Sequence, residues 1–227
     1  MQPYLFPYIG YFQLIGAVDK FVVYDDVDFI SRGWINRNNI LLHGERHRFT
    51  VPRANAKFHT LICDTLVNDN THWRRKLLSM IEQSYRKAPQ FSTAFPLIHE
   101  IISNGPVDIA GLAVRSLTHV SDYIGIKTEI KESSVDYNNR HLKGQDRVLD
   151  ICIQEGATTY INTIGGMELY SKETFREKGI ELHFIKSLDV TYRQFKNDFV
   201  PSLSIIDVLM FNRQDEIAGM LGQYELI

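Results

Sequence analysis

The chain has 227 residues, 44% of them hydrophobic, with 25 lysines and arginines against 27 aspartates and glutamates. That length and apolar share support a substantial core, and the chain reads as a single domain over 1–227. A formal charge of −2 at pH 7 gives no overall field for nucleic acid or an anionic membrane surface, so an acidic ligand has to be held by a local cluster.

Cys63 and Cys152 lie far apart and outside any CxxC or zinc spacing, as expected of a reduced compartment. The apolar stretch from Met1 to Val23 is interrupted by Gln2, Pro3, Pro7, Gln13, Asp19 and Lys20. It therefore fits neither a signal peptide nor a spanning helix. The expectation is a cytoplasmic protein with no membrane insertion and no nucleic-acid partner.

In chain order, Phe12, Ile15 and Val18 within Gly10–Val18 have helical spacing, and Phe21–Tyr24 is a β-branched and aromatic run that predicts a buried strand. Asn39–Arg53 predicts an antiparallel hairpin turning at His43-Gly44-Glu45, and Thr60–Val67 reads as a candidate third strand beside it. From Thr71, a plausible N-cap, the positions of Trp73, Leu77, Met80, Ile81 and Tyr85 are helical. Pro89, Pro96 and Gly105-Pro106 punctuate a helical middle that closes with Val107–Ile124.

The second half alternates. Strands are predicted at Thr128–Glu132, Thr158–Asn162 and Ile180–Ile185, with helices at Gly144–Gln154 and Met167–Lys178 between them. Strands separated by helices need crossovers, so the fold class expected is α/β, with a mostly parallel Rossmann-like sheet and helices on both faces. Leu203–Met220 closes the chain as a mixed helical segment.

Four segments carry candidate chemistry. Gln2-Pro3-Tyr4, followed by Pro7-Tyr8-Ile9-Gly10-Tyr11, makes a rigid aromatic turn into a helix, where prolines fix the backbone and a glycine permits close approach. Gln2, Tyr4, Tyr8, Gly10 and Tyr11 are its substrate-binding candidates. Asp25 and Asp26 end a predicted strand, the position at which open α/β sheets place ligands. Behind them, Arg32 and Arg37 suit phosphate or carboxylate, Asn36 and Asn38 suit sugar hydroxyls or amides, and Trp34 offers a platform.

Ser133-Ser134 follows a strand as possible hydrogen-bond donors. Gly165-Gly166, between a strand and a helix, forms a loop whose N–H groups suit an anion. The N-terminal turn, the Asp25-Asp26 strand end, the segment from Trp34 to Asn38 and the Gly165-Gly166 loop are expected to converge on one pocket, and the Ser133-Ser134 loop joins the Gly165-Gly166 loop if their strands are neighbours. The eight histidines show no HExxH or compact ligand spacing, there is no GxSxG elbow, and neither a metal nor a cofactor is expected.

Together these segments resemble the WbqC-like family of bacterial proteins found in clusters for O-antigen and other surface polysaccharides. The resemblance rests on the N-terminal motif through Phe12, Asp25-Asp26-Val27, Trp34–Asn38, Ser133-Ser134, Gly165-Gly166 with Tyr170, and Leu203-Ser204-Ile205-Ile206-Asp207. It spans essentially the whole chain. It implies a place in lipopolysaccharide or O-antigen synthesis, and some members look like transferases that place glycine on an amino sugar. Members carry apolar residues ahead of the position of Gln2 as a first strand, so the expectation here is either a shortened strand or a start assigned late. A remoter similarity of layout links Tyr8-Ile9-Gly10-Tyr11 to the HxGH loop of the nucleotidyltransferase and pantothenate synthetase superfamily. Both histidines are replaced, so that similarity implies fold and pocket position and not ATP chemistry.

The leading functional expectation is transfer of a small acyl or aminoacyl group, glycyl for example, to an amino group of a nucleotide-linked sugar. Asp25 or Asp26 would take the proton, Arg32 and Arg37 the phosphates, and Trp34, Asn36 and Asn38 the sugar. A non-catalytic module that binds a nucleotide sugar or a pathway partner is the alternative, and an ATP-dependent adenylate-forming enzyme comes third.

Overall fold

The computed structural model describes residues 1–54, 59–196 and 198–227. Helix α1 (Ile9–Gly16) leads into β1 (Lys20–Val22), and an antiparallel hairpin follows from β2 (Arg37–Leu42) and β3 (Glu45–Thr50). The hairpin turns where the sequence placed it. His43 and Gly44 take φ of 53° and 80°, the left-handed pair that a two-residue turn between twisted strands requires.

Three helices make the middle of the chain, α2 (Trp73–Tyr85), α3 (Phe91–Ser103) and α4 (Ile109–Tyr123). Pro96 sits inside α3 instead of ending a helical piece, at the cost of the helical bond its missing N–H would have made. Thr71 does not cap α2. It belongs to a 3-10 turn over Asp69–Thr71, its hydroxyl donates back to the Asn68 carbonyl, and His72 at φ 51° begins the helix without a side-chain cap. Thr60–Val67 forms no regular strand. It makes isolated bridges instead, Leu61 to Asp28, Val67 to Arg53 and Leu66 to Asp108.

The second half carries β4 (Glu129–Lys131), α5 (Gly144–Gln154), β5 (Thr159–Thr163), α6 (Lys172–Arg176) and β6 (Glu181–Ser187). The alternation and the parallel sense hold, since β1 pairs parallel with β4 and β5 parallel with β6. The sheet is divided, however. β4 pairs with β1 and not with β5, and the described strands form separate sheets of two, two and three strands in place of one doubly wound sheet. The other edge of β1 is occupied by Met1, whose amino group donates to the Val22 carbonyl and whose carbonyl accepts from the Tyr24 amide.

Met167–Lys178 is helical only over Lys172–Arg176, because the Ser171 hydroxyl caps the Thr174 amide and so sets the start. The chain ends in α7 (Ile205–Phe211), α8 (Gln214–Leu221) and β7 (Tyr224–Leu226), which adds an antiparallel strand to β6.

Apolar side chains collect in two clusters. The larger joins α1, the hairpin, α2 to α4, α7 and α8, and the smaller gathers Leu149, Cys152, Phe175, Ile180, Leu182 and Phe184 between α5, α6 and the β5–β6 pair. No helix among the described residues is long and apolar enough to cross a membrane.

Candidate functional site

The parallel register between β1 and β4 sets Val22 opposite Lys131. Three residues further along each strand, the same register brings Asp25 to Ser134. The Ser134 amide and the Ser133 hydroxyl each donate to Asp25 Oδ1 at 2.9 Å, and the Ser134 hydroxyl reaches the same oxygen at 3.3 Å. In return the Asp25 amide donates to Ser134 Oγ at 3.2 Å. Ser134 Oγ also donates to Asp26 Oδ1, so one hydroxyl bridges two carboxylates and its single proton serves one of them at a time.

The two aspartates differ in their remaining oxygens. Asp26 Oδ2 is held by the Arg147 guanidinium, which donates a second bond to the Asp26 carbonyl. Arg147 is 3% exposed, fixed by Asn139 at 2.8 Å and stacked over the Tyr24 ring at 4.8 Å. Arg140, largely exposed, approaches the same oxygen at 4.0 Å. No described residue donates to Asp25 Oδ2. Asp25 instead lines a cleft of about 410 Å3, with Cys63, Arg115, His119, Glu132 and Ser133 among its other walls. Burial pushes the Cys63 thiol up to about 11, with Asp25 adding to the effect, so Cys63 is a poor nucleophile at neutral pH.

Helix α4 supplies one wall. Gly111, Arg115, Thr118 and His119 recur at helical spacing and are half-exposed on a helix that is otherwise buried up to Ser121. A Cβ at Gly111 would crowd Asp108, sitting 3.0 Å from both oxygens of this N-cap, which accepts the Gly111 amide. Arg115 pairs with Glu100 on α3, while its buried Nε has no hydrogen-bond partner among the described residues. A wider hollow of about 550 Å3 between α2 and α3 has its Arg74 tied to Asp69 and to the carbonyls of Ile102 and Pro106.

The other sequence candidates are placed differently. Asn38 donates to the Leu5 and Phe6 carbonyls at 3.3 and 2.7 Å, and Asn36 to the Val51 carbonyl at 2.7 Å. Arg37 donates to the Gly33 carbonyl at 2.6 Å and the Ser31 carbonyl at 3.5 Å. Trp34 and Arg32 are exposed, Trp34 with the Arg48 guanidinium 5.8 Å from its ring. Among the described residues, no hydrogen bond or ion pair joins this segment to the aspartates.

In the N-terminal turn, the buried Tyr11 hydroxyl donates to the Gln2 carbonyl at 2.6 Å, and Tyr4 packs on Tyr11 at 5.6 Å. The Tyr8 ring covers Gly10, where a Cβ would meet it at 2.3 Å. At Gly166 a Cβ would meet the Asn162 amide at 2.9 Å and the Tyr170 ring at 3.2 Å, whereas Gly165 has only the Thr163 hydroxyl at 3.9 Å. The Tyr24 hydroxyl is raised by burial, opposed by Arg147 and reinforced by Asp26 and Tyr170.

Sequence reasoning missed Arg147, Arg140, Arg115 and His119. Arg147 had a signal, because it stands four residues before Ile151 on the buried side of α5, where a charge needs a partner. The polar stripe along α4 was another.

A family model described as the WbqC-like protein family matches residues 2–218. The chain is also 30% identical over 215 residues to the Mycobacterium tuberculosis protein named "Uncharacterized protein Rv1507c", covering 93% of this chain and 91% of that one. No solved structure matches the chain.

Proposed function

The chain belongs to the WbqC-like protein family, and on that premise we propose an enzyme of surface polysaccharide synthesis that transfers a small acyl or aminoacyl group, glycyl for example, to the amino group of a nucleotide-linked sugar. The reading treats residues 1–227 as one domain working in the cytoplasm, with a layout related to Rossmann-like folds.

One observation carries it. Asp25 is 4% exposed, yet it lines an open cleft, and the donors that fix its orientation all land on Oδ1. A carboxylate oriented in this way is suited to general-base work. The acceptor nitrogen attacks the acyl carbon, the bond from that carbon to the donor's leaving group breaks, and the proton shed by nitrogen passes to Asp25 and on to the leaving group. Asp26, engaged by Arg147 and Ser134, positions Asp25 through the shared serine. Arg32 and Trp34, both exposed, remain as contacts for the outer part of the ligand.

The test supplies purified protein with a nucleotide-linked amino sugar and a glycyl thioester and looks for the mass of one added glycyl group. Asp25→Asn should lower turnover by about 10²- to 10⁴-fold, the usual worth of a positioned base, while nucleotide-sugar binding persists. Full turnover in Asp25→Asn refutes the assignment. Nucleotide-sugar binding with no transfer from any acyl donor makes the protein a binding module instead.

A further inference from the structure

Positive charge collects on one stretch of a chain whose formal charge is −2. Residues 28–53 hold Arg32, Arg37, Arg46, Arg48 and Arg53 against Asp28 and Glu45, and Asp28 is taken by His59 at 2.9 Å. Among the described residues, none of these arginines pairs with a carboxylate. Four of them belong to one turn. Arg37 donates to the Gly33 and Ser31 carbonyls, and the Gly33 amide closes back on the Ile30 carbonyl. Arg53 lies over the Phe29 ring at 4.1 Å, Arg48 over Trp34 at 5.8 Å, and Arg32 is in the turn itself. The turn also shows apolar surface to water, with Ile30 51% and Trp34 42% exposed. Charge on a free edge strand guards it against pairing with another chain, which accounts for Arg46 and Arg48 on β3. It does not account for Arg32, or for an aliphatic side chain and an indole left in water beside them.

We propose that this turn and the exposed face of β3 dock on a bilayer surface rich in anionic phospholipid. Trp34 and Ile30 sit at the boundary of headgroups and acyl chains, where an indole with one polar edge is at home. The guanidinium groups meet lipid phosphates. A local patch suffices in a net-negative chain, because the field of the lipid surface decays within about 10 Å at ordinary salt. Nucleic acid fits less well, since Ile30 gives a base nothing to stack on and the Trp34 ring already has a guanidinium beside it. The inference goes beyond the transferase reading and does not depend on it. Arg32 and Trp34 pass from the outer part of a soluble ligand to the lipid surface.

Trp34 allows a test in the wild-type protein, because the chain has two tryptophans and the other, Trp73, is buried. The protein is sedimented with vesicles of phosphatidylcholine alone or of phosphatidylcholine and phosphatidylglycerol in equal parts, and tryptophan emission is recorded on the same samples. Binding to the anionic vesicles should exceed binding to the neutral ones at least about tenfold, with a blue shift of Trp34 emission and release at about 1 M salt. Arg32→Gln with Arg48→Gln alters two exposed side chains and should weaken binding about thirtyfold, at about fivefold per charge. Ile30→Ser should weaken it about fivefold, and both variants should melt at the wild-type temperature. The proposal is overturned if anionic vesicles do not bind, if neutral vesicles bind equally, if Trp34 emission does not shift on binding, or if the arginine variant binds like wild type. Capture of single-stranded RNA without vesicle binding would give the face to nucleic acid and overturn it as well. Vesicle binding with no glycyl transfer would retire the transferase reading alone, and transfer with no vesicle binding would retire this inference alone.

Discussion

Two polar segments that look alike in sequence make different kinds of contact. From Trp34 to Asn38, the buried asparagines and Arg37 spend their donors on backbone carbonyls of the N-terminal turn and the neighbouring loop. At Asp25 and Asp26, side chains from segments more than a hundred residues away converge on carboxylates that border a cleft.

The first arrangement holds a bent backbone. Phe6 sits at φ 44°, and its amide bonds Ser116 Oγ while its carbonyl accepts from both Asn38 and Ser204. Such a conformation costs about 1–3 kcal/mol and persists only when the surroundings over-determine it. The second arrangement sets a buried aspartate on the wall of a cleft. Residue type alone does not separate scaffold from site; the destination of each donor does.

The largest expected effect breaks the second region outright. Arg147→Leu leaves the buried Asp26 carboxylate with only the largely exposed Arg140 at 4.0 Å as a charged partner, and removal of one partner from a buried ion pair costs about 3–5 kcal/mol. Urea unfolding should show that loss. A loss below about 1 kcal/mol would mean that Asp26 is not held as an ion pair. Asn38→Ala, in the first region, strips a donor from the Leu5 and Phe6 carbonyls and should cost about 1–3 kcal/mol, read from the shift of the urea midpoint.

A smaller effect sharpens the contrast with a third carboxylate. Asp207 on α7 is fully buried and receives bonds from Tyr85, Tyr192 and Gln194. Burial raises its carboxyl above the ordinary value, against the pull of those donors. A raised folded value means that the folded state binds the proton more readily than the unfolded one. The stabilisation is present in full below the unfolded value of about 3.9 and is lost as pH rises through the folded value. Asp207→Asn removes that dependence, so the stability of the variant relative to wild type should rise between about pH 3 and pH 7. Urea midpoints measured across that range provide the check; a constant or falling difference would contradict it.

Sequence reading did best where local physics decides. Gly144–Gln154 was expected as a helix and α5 has the same bounds, because an apolar stripe at helical spacing leaves little alternative. The hairpin turn followed from His43-Gly44. Sheet partnership was less legible. β4 and β5 are consecutive strands, but β4 lies against β1, and nothing local in either strand specifies that choice. β7 was missed, because Tyr224-Glu225-Leu226 lacks the β-branched residues that marked the equally short β1 and β4.

The same split runs through the site. Ser133-Ser134 and Asp25-Asp26 were each visible as motifs, but their contact depends on the β1–β4 register. Arg147 acts on Asp26 across 121 residues of chain, and the cleft wall on α4 emerges only once that helix packs beside the turn after β4.

The comparison between scaffold and site is tested most directly by glycyl transfer to a nucleotide-linked amino sugar, measured per folded molecule for Asp25→Asn and Asn38→Ala side by side. The account predicts that Asp25→Asn loses turnover by about 10²- to 10⁴-fold, and that Asn38→Ala loses stability while its folded fraction turns over at the wild-type rate. Wild-type turnover in Asp25→Asn, or a comparable catalytic loss in folded Asn38→Ala, would contradict it.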